Sequence, residues 1–431
     1  MRELQNTEVA PKRALLIGIR EERGAKAEAD SLSRELAALA GTLGLEIAAQ
    51  EIVHIRENHS KFGVGTGKAE EIKEKAAELG VDCLVFYREI TPSQQWNWEK
   101  LTGLPAVDRQ ELIIRIFADR AKTREAELQI SLAELSYSLP RLNHKYINLS
   151  RQRGGSYGAK GAGETKFETD RRRAEQRIDR LKDELVRVRK NRDTQRKKRE
   201  KAAIPSCALV GYTNAGKSSL LNALSAADSL VEDKLFATLD PTTRRLDRPN
   251  SQPVLLVDTV GFIRRLPHDL VDAFHSTLEE VTLANMLIHV LDASDPDIDH
   301  YYETTLAVLR DLGAENTPVI VALNKTDRFC AGDAGAEGDA QEALSTLQNR
   351  YPGSIPVSAK TGAGLDELLA RIDGMLQKPA LRFRFPPDRH DLAALLYRNG
   401  TVLSEKYEDT YIEMEARVEV QAAERLKVFA V

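Results

Sequence analysis

Eight consecutive residues, Gly211, Tyr212, Thr213, Asn214, Ala215, Gly216, Lys217 and Ser218, leave the surrounding chain little choice of fold. They place two glycines, a lysine and a hydroxyl at the spacing of a phosphate-binding loop. The apolar run Cys207–Val210 precedes them, and Ser219–Leu224 continues at helical spacing. Strand, glycine loop and helix in that order belong to an open α/β sheet. The glycines let backbone N–H groups approach phosphate oxygens, and the helix N-terminus adds its dipole. Lys217 is placed to reach the β- and γ-phosphates, and the Ser218 hydroxyl to ligate Mg2+. A plain glycine-containing turn is the competing reading, and the motifs downstream weigh against it.

Asp258, Thr259, Val260 and Gly261 close the apolar run Val254–Val257, 41 residues after Lys217. A carboxylate at that strand end can hold Mg2+ through water, and the Gly261 N–H can touch a γ-phosphate. Asn324, Lys325, Thr326 and Asp327 follow another apolar strand, Val319–Leu323. Asp327 can accept from both N1–H and the 2-amino group of guanine. Adenine offers neither donor and would leave a buried carboxylate unpaired, at about 1–3 kcal/mol. Ser358, Ala359 and Lys360 after Ile355–Val357 fit a loop that donates a backbone N–H to the base oxygen. Between the first two motifs lie Phe236, Ala237, Thr238, Leu239 and Asp240, with Thr242 and Thr243 just beyond. A threonine here should complete the Mg2+ shell and sense the γ-phosphate. Thr238 is preferred, although spacing alone does not decide among the three. The expected ligands are Mg2+ and GTP, with GDP as product. Ser218, Thr238 and Asp258 form the metal set, and Lys217, Thr238 and Gly261 are the candidate catalytic groups.

The rest of the chain divides around this core. Residues 1–115 alternate strands and helices: strand at 13–19, helix at 25–43, strand at 51–54, glycine loop at 63–67, helix at 69–79 and strand at 83–86. They read as a separate α/β domain. Residues 116–203 read as a helical hairpin. A helical pattern over Glu111–Leu139 is stopped by Pro140, a basic Gly-rich loop spans Arg151–Lys166, and a charged helix runs over 168–201. Ile178, Leu181, Leu185 and Val188 give that helix a narrow coiled-coil-like stripe, for which Glu111–Leu139 is the natural antiparallel partner. Residues 204–376 form the Ras-like domain, with Ala331–Ala340 as a mobile loop, and 377–431 a small α+β domain. The loop Gly63–Lys68 has the wrong glycine spacing for a second phosphate loop and reads as a turn. The eight histidines form no H-x-x-x-H pair or Cys/His cluster, so zinc is not expected.

Composition excludes more than it assigns. A hydrophobic content of 42% supports real cores, and a net charge of −4 says little about partners. Three scattered cysteines, Cys83, Cys207 and Cys330, suit a reducing compartment. No apolar run approaches a membrane span, and the N-terminus lacks a signal pattern. A cytoplasmic protein is expected, with peripheral membrane attachment as the other location.

The four nucleotide motifs resemble the translation-factor class of Ras-like GTPases. Segments outside them narrow the likeness: Val64–Ile72 (VGTGKAEEI), Asp108–Ala126 (DRQELIIRIFADRAKTREA), Leu139–Leu142 (LPRL), Gly161–Arg172 (GAGETKFETDRR) and Phe236–Arg244 (FATLDPTTR). These resemble the HflX family of ribosome-associated GTPases over nearly the whole chain, weakening after about residue 380. The resemblance implies a monomer that binds the large ribosomal subunit and separates stalled ribosomes, with Thr238 as the switch threonine. One departure is Ala162 in the loop 154–163 (GGSYGAKGAG), where the family pattern has proline, which implies a more flexible loop.

Local charge agrees with an RNA partner. Residues 170–201 carry fifteen Lys/Arg against seven Asp/Glu, and Arg151, Arg153, Lys160 and Lys166 add charge on the glycine loop. Tyr146 and Tyr157 offer stacking surfaces. A solvated helix face is the bland reading of such a run. Many Ras-like proteins place a water-orienting glutamine after Asp-x-x-Gly. Here that position is Phe262, which implies slow intrinsic turnover completed by the ribosome. The alternative function is a GTP-regulated adaptor whose hairpin binds a protein or membrane partner. An ATP-driven kinase or helicase conflicts with Asn324–Asp327.

Overall fold

The computed structural model describes residues 12–21, 26–142, 162–200, 204–225, 235–236, 238–239, 241–247, 253–264, 278–329, 336–376, 381–418 and 426–430. Three sheets organise them. The first is fully parallel, in the order β2-β1-β3-β4, from β1 (Arg13–Glu21), β2 (Glu46–Ile55), β3 (Cys83–Phe86) and β4 (Ala106–Asp108). Alternation along β1 sets its two faces. Ala14 and Leu16 join one core with Leu36 and Leu39 of α1 (Lys26–Thr42) and with Ile113 and Phe117 of α4 (Arg109–Arg120). Leu15 and Ile17 point the other way, onto Ile72 of α2 (Thr66–Leu79) and Trp98 of α3 (Pro92–Thr102). Thr91 and Gln94 cap α3 reciprocally, and Asp108 caps α4 through the Glu111 N–H at 3.0 Å.

The hairpin differs from the sequence expectation. Helical pattern over Glu111–Leu139 resolves into two helices, α4 and α5 (Arg124–Ser138), because the Thr123 side chain accepts from the Ala126 N–H and starts a new helix. α4 belongs to the first sheet. α5 alone pairs with the long α6 (Ala162–Glu200), Leu128, Leu132 and Leu135 meeting Leu181, Leu185 and Val188. As expected, Pro140 stops the helix. The Leu139 N–H makes the last α bond, to the Leu135 carbonyl, Pro140 has no N–H to continue it, and Leu139–Arg141 follow as a 3-10 turn. α6 also starts earlier than expected, so the backbone of 162–166 is helical; Tyr146, Arg151, Arg153, Tyr157 and Lys160 lie outside the described residues. Its 39 residues extend about 58 Å.

The second sheet runs β10-β9-β8-β5-β7-β6, parallel except for the antiparallel edge β6. Its strands are β5 (Ser206–Val210), β6 (Thr242–Leu246), β7 (Val254–Asp258), β8 (Met286–Asp292), β9 (Val319–Asn324) and β10 (Ile355–Pro356). Met286, Ile288 and Val290 share a core with Leu220 of α7 (Lys217–Ser225) and with Leu368 of α10 (Leu365–Leu376). On the opposite face lies α8 (Ile298–Asp311). The expected mobile loop at 331–340 is corrected over its second half. α9 (Ala336–Arg350) begins there, since alanine and glutamate carry a helix past one glycine, while 330–335, with Cys330, lie outside the described residues. A third sheet, β11-β13-β12, comes from β11 (Leu381–Phe385), β12 (Gly400–Tyr407) and β13 (Ile412–Val418) and packs on α11 (His390–Asn399) through Phe383, Leu396 and Met414.

Candidate nucleotide site

The phosphate loop joins β5 to α7 at the carboxyl edge of the parallel strands, where open α/β sheets gather ligands. Gly216 stands at φ 92°, and a Cβ there would lie 2.2 Å from the Asn324 amide nitrogen. Lys217 is buried, and its ammonium donates to the carbonyls of Gly211 at 3.1 Å and Tyr212 at 2.9 Å. Burial pushes its pKa down to about 8, against the pull of Asp258. A phosphate anion beside it would favour the charged form.

Three oxygens converge one residue on. The Ser218 hydroxyl donates to Asp258 Oδ2 at 2.6 Å, the Thr238 hydroxyl donates to the same oxygen at 2.8 Å, and the two hydroxyls lie 2.6 Å apart. Asp258 Oδ1 is buried with no hydrogen-bond partner among the described residues, and burial raises the pKa of this carboxyl. Two hydroxyls and an under-coordinated carboxylate are a hard-oxygen set that suits Mg2+. Thr238 reaches this cluster; Thr242 and Thr243 stand exposed on β6. Phe236 and Leu239 are buried on either side, whereas Ala237 and Asp240 lie outside the described residues. The Thr259 hydroxyl donates to the Leu209 carbonyl at 2.6 Å and, with buried Val260, fixes this segment against β5.

On the base side, the Asn324 amide donates to the Ala215 carbonyl at 2.9 Å and accepts from the Ala359 N–H at 3.1 Å. Lys325, at φ 64°, donates to the Asn214 carbonyl at 2.7 Å and pairs with Asp292 at 2.8 Å. Thr326 donates to the Val357 carbonyl at 3.0 Å, and the Ser358 hydroxyl holds Asp327 Oδ1 at 2.7 Å. Lys360 is exposed beside them. These contacts bring the phosphate loop and both base-side motifs together around one edge.

Two features had no sequence signal. Leu235 and Phe236 reach the first sheet's helices: the Leu235 N–H donates to Thr42 Oγ1 at 3.3 Å, and Phe236 packs edge-on against Phe117 at 4.5 Å. Tyr212 contacts Glu35 of α1. Elsewhere, Lys68 in the loop 63–68 pairs with Glu71 at 2.7 Å and Glu51 at 3.5 Å, so its charge is already matched. No group of three or more His, Cys, Asp or Glu placed to hold a metal ion appears among the described residues.

This sheet and loop define a P-loop GTPase. Residues 206–325 match the family described as 50S ribosome-binding GTPase; 30–118 match the GTP-binding GTPase N-terminal family, and 120–199 the middle region. "GTPase HflX" of Akkermansia muciniphila is 44% identical over 429 residues, covering 97% of each chain, and that of Escherichia coli is 38% identical over 399 residues, covering 91% of each. The chain belongs to the HflX family, and it binds and hydrolyses GTP. A solved GDP complex of an SsGBP protein is 26% identical with a TM-score of 0.46, over 85% of this chain and 99% of that one.

Proposed function

We propose that this GTPase acts on the large ribosomal subunit, contacting rRNA through the α5–α6 hairpin and the Gly-rich loop, and separates stalled ribosomes in the cytoplasm as a monomer. The observation that carries the reading is α6. Among the described residues Leu181, Leu185 and Val188, with an Arg124–Glu184 ion pair at 2.9 Å, tie it to α5, while Arg172, Arg177, Arg180, Lys182 and Arg187 are exposed where phosphates could meet them. The description of the matched 206–325 family points the same way. No helix among the described residues is long and apolar enough to cross a membrane.

In the nucleotide site, Gly211–Ser218 cradle the phosphates and Lys217 bridges β and γ. Ser218, Thr238 and Asp258 hold Mg2+, which supplies charge neutralisation on the transferred phosphoryl when bound. Asp327, braced by Ser358, reads the guanine edge, while Lys325 and Ala359 frame the base. Phe262 is buried and donates nothing to water, so the isolated chain turns over slowly. The division at 1–115, 116–203, 204–376 and 377–431 belongs to the same reading, with α4 carrying the first unit on to Arg120.

Co-sedimentation with 70S particles and separated subunits tests it, using GDP and a non-hydrolysable GTP analogue at two salt concentrations. Triphosphate-dependent recovery with the large subunit, weakened by salt, is expected. No association under either nucleotide would favour the adaptor reading.

A further inference from the structure

The base-reading loop is fastened to the phosphate loop by a carboxylate that belongs to neither motif. Asp292 ends β8, and its Oδ2 pairs with the Lys325 ammonium at 2.8 Å. That ammonium also donates to the Asn214 carbonyl of the phosphate loop at 2.7 Å. Asp292 is itself held in place, since its Oδ1 accepts from the Ser294 N–H at 3.0 Å and from the Ser294 hydroxyl at 2.6 Å. Arg328, three residues past Lys325, lies 3.4 Å from the same Oδ2 and donates to Ser294 Oγ at 3.1 Å. The Asp292 and Lys325 side chains are only 11% and 16% exposed, so salt screens their attraction little.

A largely buried ion pair gains little net stability, because desolvation offsets much of its attraction. The position of this one is more telling. Lys325 stands at φ 64° and Asn214 at φ 61°, left-handed conformations that residues other than glycine seldom adopt. The hydrogen bond from Lys325 Nζ joins these two turns. The turn at Lys325 lets Asn324 and Thr326, on either side of it, both reach backbone carbonyls, those of Ala215 and Val357. Thr213, Asn214 and Ala215 border a cavity of about 220 Å3, shared with Asp295, Pro296 and Tyr301. Side-chain packing therefore leaves this flank of the phosphate loop incompletely supported. Two polar tethers cross from it to the base loop, Asn324 to Ala215 and Lys325 to Asn214, and Asp292 aims the second.

We propose that Asp292 is a positioning residue that sets how long a bound guanine nucleotide stays. The two loops joined by this tether grip the phosphates and the base, so the nucleotide leaves when they part. Asp292 aims the Lys325 ammonium at the Asn214 carbonyl and offsets the cost of burying its charge. Without the carboxylate, the ammonium turns to solvent and the loops part more readily. GDP and GTP are affected alike, because none of the tethered atoms belongs to Gly261, Thr238 or the metal set. This rests on the nucleotide-site reading above.

The test is the release rate of labelled GDP and of a labelled non-hydrolysable GTP analogue from the full chain, chased with excess unlabelled nucleotide. Asp292→Asn removes the charge at nearly constant shape. It should speed release of both by roughly tenfold, the loss of about one charge-assisted hydrogen bond. Association should change little, as is usual for variants of one interface. Lys325→Met should release at least as fast, and adding Asp292→Asn to it should change little more, because the two act through one contact. Asp299→Asn is the control for loosening of the fold: it frees Arg350 and Tyr351 of the same domain and should leave release alone. A merely structural Asp292 would lower thermal stability without shortening either lifetime, or would add its full effect to that of Lys325→Met, and either result overturns the proposal. A parent chain that holds neither nucleotide overturns the site reading and this proposal with it, whereas tight binding with unchanged lifetimes in Asp292→Asn overturns this proposal alone.

Discussion

Asn324, at the end of β9, donates to the Ala215 carbonyl at 2.9 Å and so ties the base-reading loop to the phosphate loop. Its other side-chain atom accepts from the Ala359 N–H, which makes one buried amide the junction of three motifs. Asn324→Ala strands the Ala215 carbonyl and the Ala359 N–H. It should weaken GDP and GTP alike by about 2 kcal/mol, roughly 30-fold. Fluorescence titration with labelled nucleotides measures this, and a loss confined to GTP would show that the junction acts on the γ-phosphate instead.

Base choice rests on Asp327. Guanine presents two donors to its carboxylate, whereas xanthine presents a carbonyl in place of the 2-amino group. Asp327→Asn supplies a donor to that carbonyl and should shift preference from GTP to xanthosine triphosphate by an order of magnitude or more. Competition between the two triphosphates reads the shift. An Asn variant still preferring GTP would place base recognition elsewhere.

His289, on β8, is fully buried, stacks parallel to Tyr302 at 5.2 Å, and has neither ring nitrogen hydrogen-bonded among the described residues. Burial, with a smaller contribution from Lys217, lowers its pKa from 6.5 to about 3. The unfolded chain binds this proton first as pH falls. The stability it allows is therefore whole above about pH 6.5 and is lost progressively down to about pH 3, at about 1.4 kcal/mol per unit. His289→Leu should remove that slope. Urea unfolding at pH 6.5 and 5 should show the variant losing about 2 kcal/mol less than the parent chain. Parallel pH profiles would contradict the burial account.

Arg141, just before the segment that leads to the Gly-rich loop, bonds the Ile90 carbonyl at 3.0 Å, Gln95 at 2.9 Å and buried Asp108 at 3.2 Å, and lies 3.5 Å over the Tyr137 ring. Asp108 keeps the Ile90 N–H, the Glu111 N–H and the Tyr137 hydroxyl when Arg141 is removed. Arg141→Ala should accordingly cost about 3 kcal/mol, the lower end for breaking a buried pair. Arg141→Lys should recover only part of it, because one ammonium cannot match a planar fork. Thermal unfolding checks both, and a neutral Arg141→Ala would show that the arginine is not an anchor.

The nucleotide motifs were legible because each is a short contiguous run whose chemistry depends on spacing, as in Gly211–Ser218 and Asn324–Asp327. Periodicity also located Leu181, Leu185 and Val188 as a seam. It assigned the wrong length of partner, since an N-cap at Thr123 interrupts a pattern that hydrophobicity carries straight through. Spacing alone left Thr238, Thr242 and Thr243 open and the resemblance favoured Thr238; in space Thr238 lies against Ser218 and Asp258, while Thr242 and Thr243 are exposed on β6. Glu35, Arg109 and Tyr212 are far apart in the chain and conform to no pattern, so their meeting at Arg264 was beyond sequence reasoning.

The most direct measurement is steady-state GTP hydrolysis by the full chain, titrated with purified large ribosomal subunits at fixed Mg2+. The account predicts a slow basal rate that rises saturably with subunit concentration, falls with added salt, and is abolished by Lys217→Ala. A fast basal rate that large subunits leave unchanged would contradict it.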